Sequence, residues 1–183
     1  MLRSSLDLAP VESIPDLLSR PPLVFYFTSQ AFEYPRESWP ENYRFVGPIS
    51  WTPTEEPPAW LEDLAEPIAL VTCSSERQND DEIIRAALGS LPGAGFSVVA
   101  TTAAYDPAAF DDADSSRVRV ERFVPHHHVI SRAEVVVCHG GMGITQRALA
   151  AGVPVIVVPH GRDQLEVARR VEHAGAVVGR PAL

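Results

Sequence analysis

Cysteine is scarce in this chain of 183 residues: Cys73 and Cys138 are the only two. Each lies in or at the end of an apolar run, which reads as a buried free thiol and excludes a disulfide scaffold. Positive charge is in deficit. Against 24 acidic residues stand 15 basic ones, a formal net charge of −9, so neither nucleic acid nor an anionic membrane is expected as the main partner. Any phosphate must be held by a local device rather than a basic field. No apolar run approaches membrane-spanning length. The first ten residues, MLRSSLDLAP, lack the apolar core of a signal peptide, so a cytoplasmic location is the expectation. Internal repeats and low-complexity tracts are also missing. What remains is an ordinary globular composition, 45% apolar and 8% aromatic, long enough for one substantial domain and an appendage.

The stretch with most to say is Val135–Thr145, VVVCHGGMGIT. A short β-branched run ends in His139, three glycines follow within four positions, and an amphipathic segment runs from Thr145 to Ala151 until Gly152 stops it. That pattern predicts a buried strand, a tight loop and a helix N-terminus. Glycines let a backbone approach a ligand closely, and the unpaired N–H groups of a helix start favour an anion, above all a phosphate. Two common phosphate motifs do not fit. The loop has no P-loop Lys, and Gln146 stands where the third Gly of a dinucleotide fingerprint would be.

Before this stretch, residues 1–22 read as surface helix or coil broken by prolines. Leu23–Thr28 is a strand candidate, buried on both faces or against a partner. Residues 30–67 mix many prolines with Trp39, Trp51 and Trp60 and read as an extended strap pinned by its aromatics; Arg44–Gly47 is a candidate to pair with a sheet edge. From Pro67 onward the pattern is regular. Strands are expected at Ile68–Cys73, Phe96–Thr102, Val118–Arg122, Val135–Cys138, Val155–Val158 and Ala176–Val178. Helices are expected from a capping box at Asn79 and Glu82 to Pro92-Gly93, over 126–132, and over Asp163–Ala174. Short-spaced alternation of this kind implies an α/β fold, a doubly wound, Rossmann-like parallel sheet. Ligands of such sheets sit beyond the carboxyl ends of the strands. Three loops there, Ser74–Asn79, His139–Gly143 and His160–Gln164, converge if their strands are neighbours.

Taken singly, the candidate side chains have two readings each. Ser74 and Ser75 donate to a phosphate or form a turn. Phe123 is a stacking platform for a flat base or a core residue at a strand end. Asp163 with Gln164 suits sugar hydroxyls, or Asp163 simply favours a first helical turn. His126, His127 and His128 point in different directions in a helix, with no Cys or carboxylate spacing to complete a metal site. The acidic residues Asp106, Asp111, Asp112 and Asp114 read as a solvated loop.

Together and in order, the pieces FVPH, HGGMGIT, AAGVP and DQ resemble the C-terminal, nucleotide-sugar-binding half of GT-B glycosyltransferases, the UDP- or dTDP-sugar-dependent enzymes that glycosylate small molecules. The likeness covers 123–175 well and 51–102 more loosely. It implies a donor site in which Phe123 stacks on the base, the Val124 backbone pairs with it, and His139 contacts the diphosphate. Gly141, Gly143, Ile144 and Thr145 line the helix start, Ser74 and Ser75 fall near a phosphate-contacting loop, and Asp163 and Gln164 hold sugar hydroxyls. It implies no metal and no cofactor beyond the donor substrate. Arg147 stands where many members carry a ribose-binding Glu, leaving UDP against dTDP open. By the same likeness, residues 1–66 are the end of an N-terminal half and an interdomain strap, and 67–183 a C-terminally truncated nucleotide-sugar-binding domain. The acceptor and the catalytic base belong to the half not seen here, so the chain is expected to bind a nucleotide sugar without full activity. Alternatives are a separate donor subunit docked on a partner or a homodimer, and an epimerase-like or non-catalytic nucleotide-binding module.

Overall fold

The computed structural model describes residues 2–49, 51–110 and 116–176. Contacts divide the chain into two compact units, Met1–Ile49 and Ser50–Leu183. In the first, α1 (Leu2–Ser5) and α2 (Ile14–Ser19) precede two short strands, β1 (Val24–Tyr26) and β2 (Tyr43–Phe45). Ser13 caps α2, its hydroxyl accepting the Asp16 N–H at 3.1 Å, and Pro15 occupies the first turn, where a missing N–H costs nothing. β1 and β2 pair in parallel, Val24 opposite Tyr43, so the expected edge-pairing piece finds its partner within this unit. Tyr26, Trp39, Tyr43 and Phe45 form an aromatic cluster, with Trp39 and Phe45 edge to face at 4.7 Å. The run Leu23–Thr28 is not buried on both faces: Phe25 and Phe27 are each 53% exposed. Only alternate residues of a strand reach one face, and that face is taken by Tyr26.

The second unit carries the regular sheet. Its strands are β3 (Ile68–Thr72), β4 (Ser97–Thr101), β5 (Val118–Glu121), β6 (Ala133–Cys138) and β7 (Val155–Val157), in spatial order β5-β4-β3-β6-β7. All four pairings are parallel. Every residue of β3 and β4 is buried, as their unbroken apolar runs require in a sheet covered on both faces. Between the strands lie α3 (Asp81–Ser90), α4 (His126–Ile130) and α5 (Met142–Ala150), and α6 (Gln164–His173) follows β7. Ile83, Ile84 and Ala87 of α3 pack with Val71, Val98, Ala100, Phe110 and Val118; Val167, Ala168 and Val171 give α6 its buried face. The strand order reverses at β3, and β3, β6 and β7 are consecutive neighbours, so the three loops do emerge side by side.

Several boundaries differ from the sequence reading. The capping box at Asn79 and Glu82 does not form: Asn79 adopts a left-handed backbone (φ 62°), and Asp80 stands at the N-cap with its side chain turned away from its own helix. α5 begins at Met142 rather than Thr145, because Gly143 and Ile144 already take helical geometry. The strand expected over Ala176–Val178 lies, from residue 177 on, outside the described residues, as do Asp111, Asp112 and Asp114.

The strap is held mostly by its main chain. Trp51 is 75% exposed, yet its carbonyl accepts from the Arg147 guanidinium at 2.6 Å. His128 Nε2 bonds the Glu55 carbonyl at 2.9 Å, and Arg132 donates to the carbonyls of Leu61 and Leu64. Arg147, the position where the family resemblance leads one to expect a Glu, is thereby engaged with the strap.

Candidate functional site

The three loops beyond β3, β6 and β7 each contain a left-handed residue: Asn79 (φ 62°), Gly140 (φ 95°) and Arg162 (φ 56°). Such turns direct successive backbone N–H groups inward. In the central loop, Gly140 is packed so tightly that a Cβ there would lie 2.7 Å from Val157 Cγ1 and 3.2 Å from the Gln164 carbonyl oxygen. Gly141 is the N-cap of α5 and has no side chain to cap it. The first helical bond runs from the Thr145 N–H to the Gly141 carbonyl, so the N–H groups of Met142, Gly143 and Ile144 face outward from the helix start without a helical acceptor. The Thr145 N–H is spent on that bond, and its fully buried hydroxyl lies 3.9 Å from Cys138 Sγ.

The imidazole of His139 lies against Gly141, where a Cβ would come within 2.6 Å of Nε2. Its Nδ1 is buried and lacks a hydrogen-bond partner. Burial holds the ring's pKa below the usual histidine value, aided by the charges of His160 and Arg162 and opposed by Asp80 and the Thr72 backbone. At neutral pH it is an uncharged ring with one N–H to donate.

The loop after β3 is organised by Asp80, which is completely buried. Its carboxylate accepts from the Ser74 backbone N–H, from Tyr105 Oη at 2.9 Å and from Gln78 Nε2 at 3.2 Å. Three donors are what a buried carboxylate needs, and the loop supplies them where the helix does not. Ser74 is buried and its Oγ accepts the Glu76 N–H, whereas Ser75 is exposed. Gln164, 3% exposed, accepts the N–H groups of His160 and Gly161 on its Oε1 at 2.8 and 3.0 Å and donates through Nε2 to Gln78 Oε1 at 3.0 Å. Asp163 beside it is exposed, at the N-cap of α6. A second link, the ion pair of Arg162 with Glu76, joins the same two loops at the surface.

At the other side of the sheet, the loop after β5 presents Phe123, 62% exposed, while the next residue, Val124, is buried. Both line a cavity of about 180 Å³ with Glu56, Pro58, Trp60 and Glu121. Behind it, His126 Nε2 lies 3.0 Å from Thr101 Oγ1, which donates to Thr72 Oγ1, which donates in turn to the Cys73 carbonyl. His126 is thus the terminal donor of a short relay, and among the described residues no group of three or more His, Cys, Asp or Glu side chains is placed to hold a metal ion. Burial, with the nearby Arg147 charge, lowers the His126 pKa to about 4. Below its unfolded value of 6.5 the unfolded chain takes up the proton first. Stability contributed by neutral His126 is therefore complete above pH 6.5 and lost as pH falls towards 4. Denaturant titrations at pH 7.5 and pH 4 should show the unaltered chain losing about 3 kcal/mol more than His126→Gln; equal losses would contradict the assignment.

Sequence reasoning missed Gln78, Asp80 and Tyr105. Asp80 and Asp81 are adjacent acids at a helix start, and nothing in their order tells which of them turns into the loop.

Comparison with known proteins adds to this geometry. Residues 81–182 match the family model described as erythromycin biosynthesis protein CIII-like, C-terminal domain. The 4'-demethylrebeccamycin synthase of Lentzea aerocolonigenes is 36% identical over 167 residues, which are 89% of this chain and 39% of that protein. The chain thus spans about two fifths of that relative's length. The crystal structure of CalG4, the calicheamicin glycosyltransferase, superposes with a TM-score of 0.73 at 27% identity, covering 98% of this chain and 50% of the other. The glycosyltransferase VinC, solved in complex with dTDP, superposes with a TM-score of 0.61 at 25% identity, over 82% and 37% of the two chains.

Proposed function

Because this chain belongs to the family of erythromycin biosynthesis protein CIII-like C-terminal domains, we propose that its crevice is the nucleotide-sugar site of a glycosyltransferase acting on small natural products. The observation that carries this reading is the pairing of an uncapped helix start with the His139 imidazole set against it, its Nε2 beside Gly141. A diphosphate offers what both lack: oxygens to accept the N–H groups of Met142, Gly143 and Ile144 and the imidazole proton. Phe123 supplies the face for the base and the Val124 backbone its edge. Ser74 and Ser75 lie at the phosphate end, and Asp163 and Gln164 at the sugar. The dTDP held by VinC supports a nucleoside diphosphate as the ligand class.

In the reaction we infer, an acceptor hydroxyl gives its proton to a base in the other half of a two-domain enzyme. Its oxygen attacks the anomeric carbon of the hexose from the side opposite the diphosphate, the anomeric C–O bond breaks, and UDP or dTDP leaves with the electron pair, inverting the centre. The residues of this chain stabilise the charge that develops on that leaving group. No metal is required, since the helix start and His139 do that work.

Calorimetric titration with UDP, dTDP and their glucose conjugates, with and without magnesium, tests the reading. Metal-independent binding is expected, and no binding to any of the four would end it. Gly143 sharpens the test. A Cβ there meets nothing within 4 Å, and alanine is the better helix former by about 1 kcal/mol. Gly143→Ala should therefore fold at least as stably as the parent, yet bind the diphosphate about tenfold more weakly, because the methyl group enters the space that the ligand fills.

A further inference from the structure

We propose that Gln78 is a positioning residue for the donor sugar: its side-chain amide fixes Gln164 across the mouth of the glycine loop. The inference rests on the nucleotide-sugar reading of the crevice and extends it to a residue that touches no ligand. Gln78 lies on the loop after β3 and Gln164 at the start of α6, beyond β7. Between those strands runs β6, so the bond from Gln164 Nε2 to Gln78 Oε1, 3.0 Å long, joins the two loops that flank the His139 loop.

Each end of this bond is itself anchored. Gln78 Nε2 donates to Asp80 Oδ2 at 3.2 Å, and the Gln78 backbone N–H donates to Tyr105 Oη at 3.3 Å. Asp80 in turn is held by Ser74 N–H and Tyr105 Oη. At the far end, Gln164 Oε1 is occupied by two backbone N–H groups. The Gln164 amide is consequently fixed in orientation: its oxygen is committed to His160 and Gly161, one amide hydrogen to Gln78, and the second is left to donate. Gly140 packs against the Gln164 backbone and Cβ at 3.2 and 3.4 Å from the place of a missing Cβ, so the floor of the crevice and this amide share one geometry. Without Gln78, the Gln164 amide is held by its oxygen alone and its nitrogen end loses its anchor, while the helix start and His139 keep theirs. The consequence falls on the sugar and spares the diphosphate.

The test measures affinity for the tighter-binding nucleoside diphosphate and for its glucose conjugate in the unaltered chain, in Gln78→Ala, in the near-isosteric Gln78→Met, in Gln164→Ala and in the double variant Gln78→Ala with Gln164→Ala. The ratio of the two affinities is the readout. It should fall about tenfold in both Gln78 variants, with diphosphate affinity held within about twofold. The double variant should be no worse than Gln164→Ala alone, since one residue acts through the other. A ratio unchanged in Gln78→Ala, a Gln78→Met variant that behaves as the parent, fully additive losses, or equal loss of the bare diphosphate would each overturn the positioning role while leaving the donor site standing. Failure of the unaltered chain to bind either nucleotide would overturn the site reading and this role with it.

Discussion

Replacing Gly140 with alanine is expected to lower the unfolding free energy by about 3 kcal/mol, and the melting temperature by about 10 °C. Two costs act together. The residue sits at φ +95°, where an L side chain pushes its Cβ against the backbone. The added methyl group would also lie 2.7 Å from Val157 Cγ1, and Val157 is fully buried in β7. Its neighbours there are backbone and a β-branched side chain, so little can yield. Gly143→Ala, two glycines further on in the first turn of α5 and in open space, is the internal control: the same methyl group three residues away, with no cost to the fold. Guanidinium denaturation of both variants measures the contrast, and a Gly140→Ala change within 1 kcal/mol of the parent would mean that the loop is more pliant than its packing implies.

His139→Ala should weaken binding of the nucleoside diphosphate by about thirtyfold, the loss of one hydrogen bond to a charged group from a desolvated site. Stability should change far less, because the buried Nδ1 makes no hydrogen bond for the fold to lose. The effect should persist at pH 7.5, where burial keeps the ring neutral and the donor is an N–H rather than a charge. Calorimetry on a variant shown by circular dichroism to be folded decides the matter. Equal affinities would remove His139 from the site and leave the helix start alone to account for anion binding.

The sheet was open to reading because its cause is local. Unbroken apolar runs such as Ile68–Thr72, punctuated by glycine and proline, can be little else than buried parallel strands once helices alternate with them. The grouping of the loops after β3, β6 and β7 depends on strand order, which the sequence left as a condition and the structure supplies. The interior wiring of those loops was not legible. Asp80 had a choice between capping α3 and serving the loop; three donors brought from Ser74, Gln78 and Tyr105 decided it, two of them set by the turn itself and the third by a loop 25 residues away. Gln164 likewise reads as a helix-start amide, and its bond to Gln78 spans 86 positions. The amphipathic pattern that finds helices carries no information about such pairs. The first unit differs: the apolar run Leu23–Thr28 predicts burial on both faces or against a partner, and within the chain a two-stranded pair covers only one of its faces, leaving Phe25 and Phe27 exposed.

Arg147, His128 and Arg132 grip residues 51–64 by carbonyl oxygens. A carbonyl is common to all twenty residue types, so this attachment does not discriminate among side chains. Evolution is then free to rewrite most letters of the strap provided its length and extended path survive, and the pressure to stay the same falls on the three clasping residues, which lie far away in the sequence.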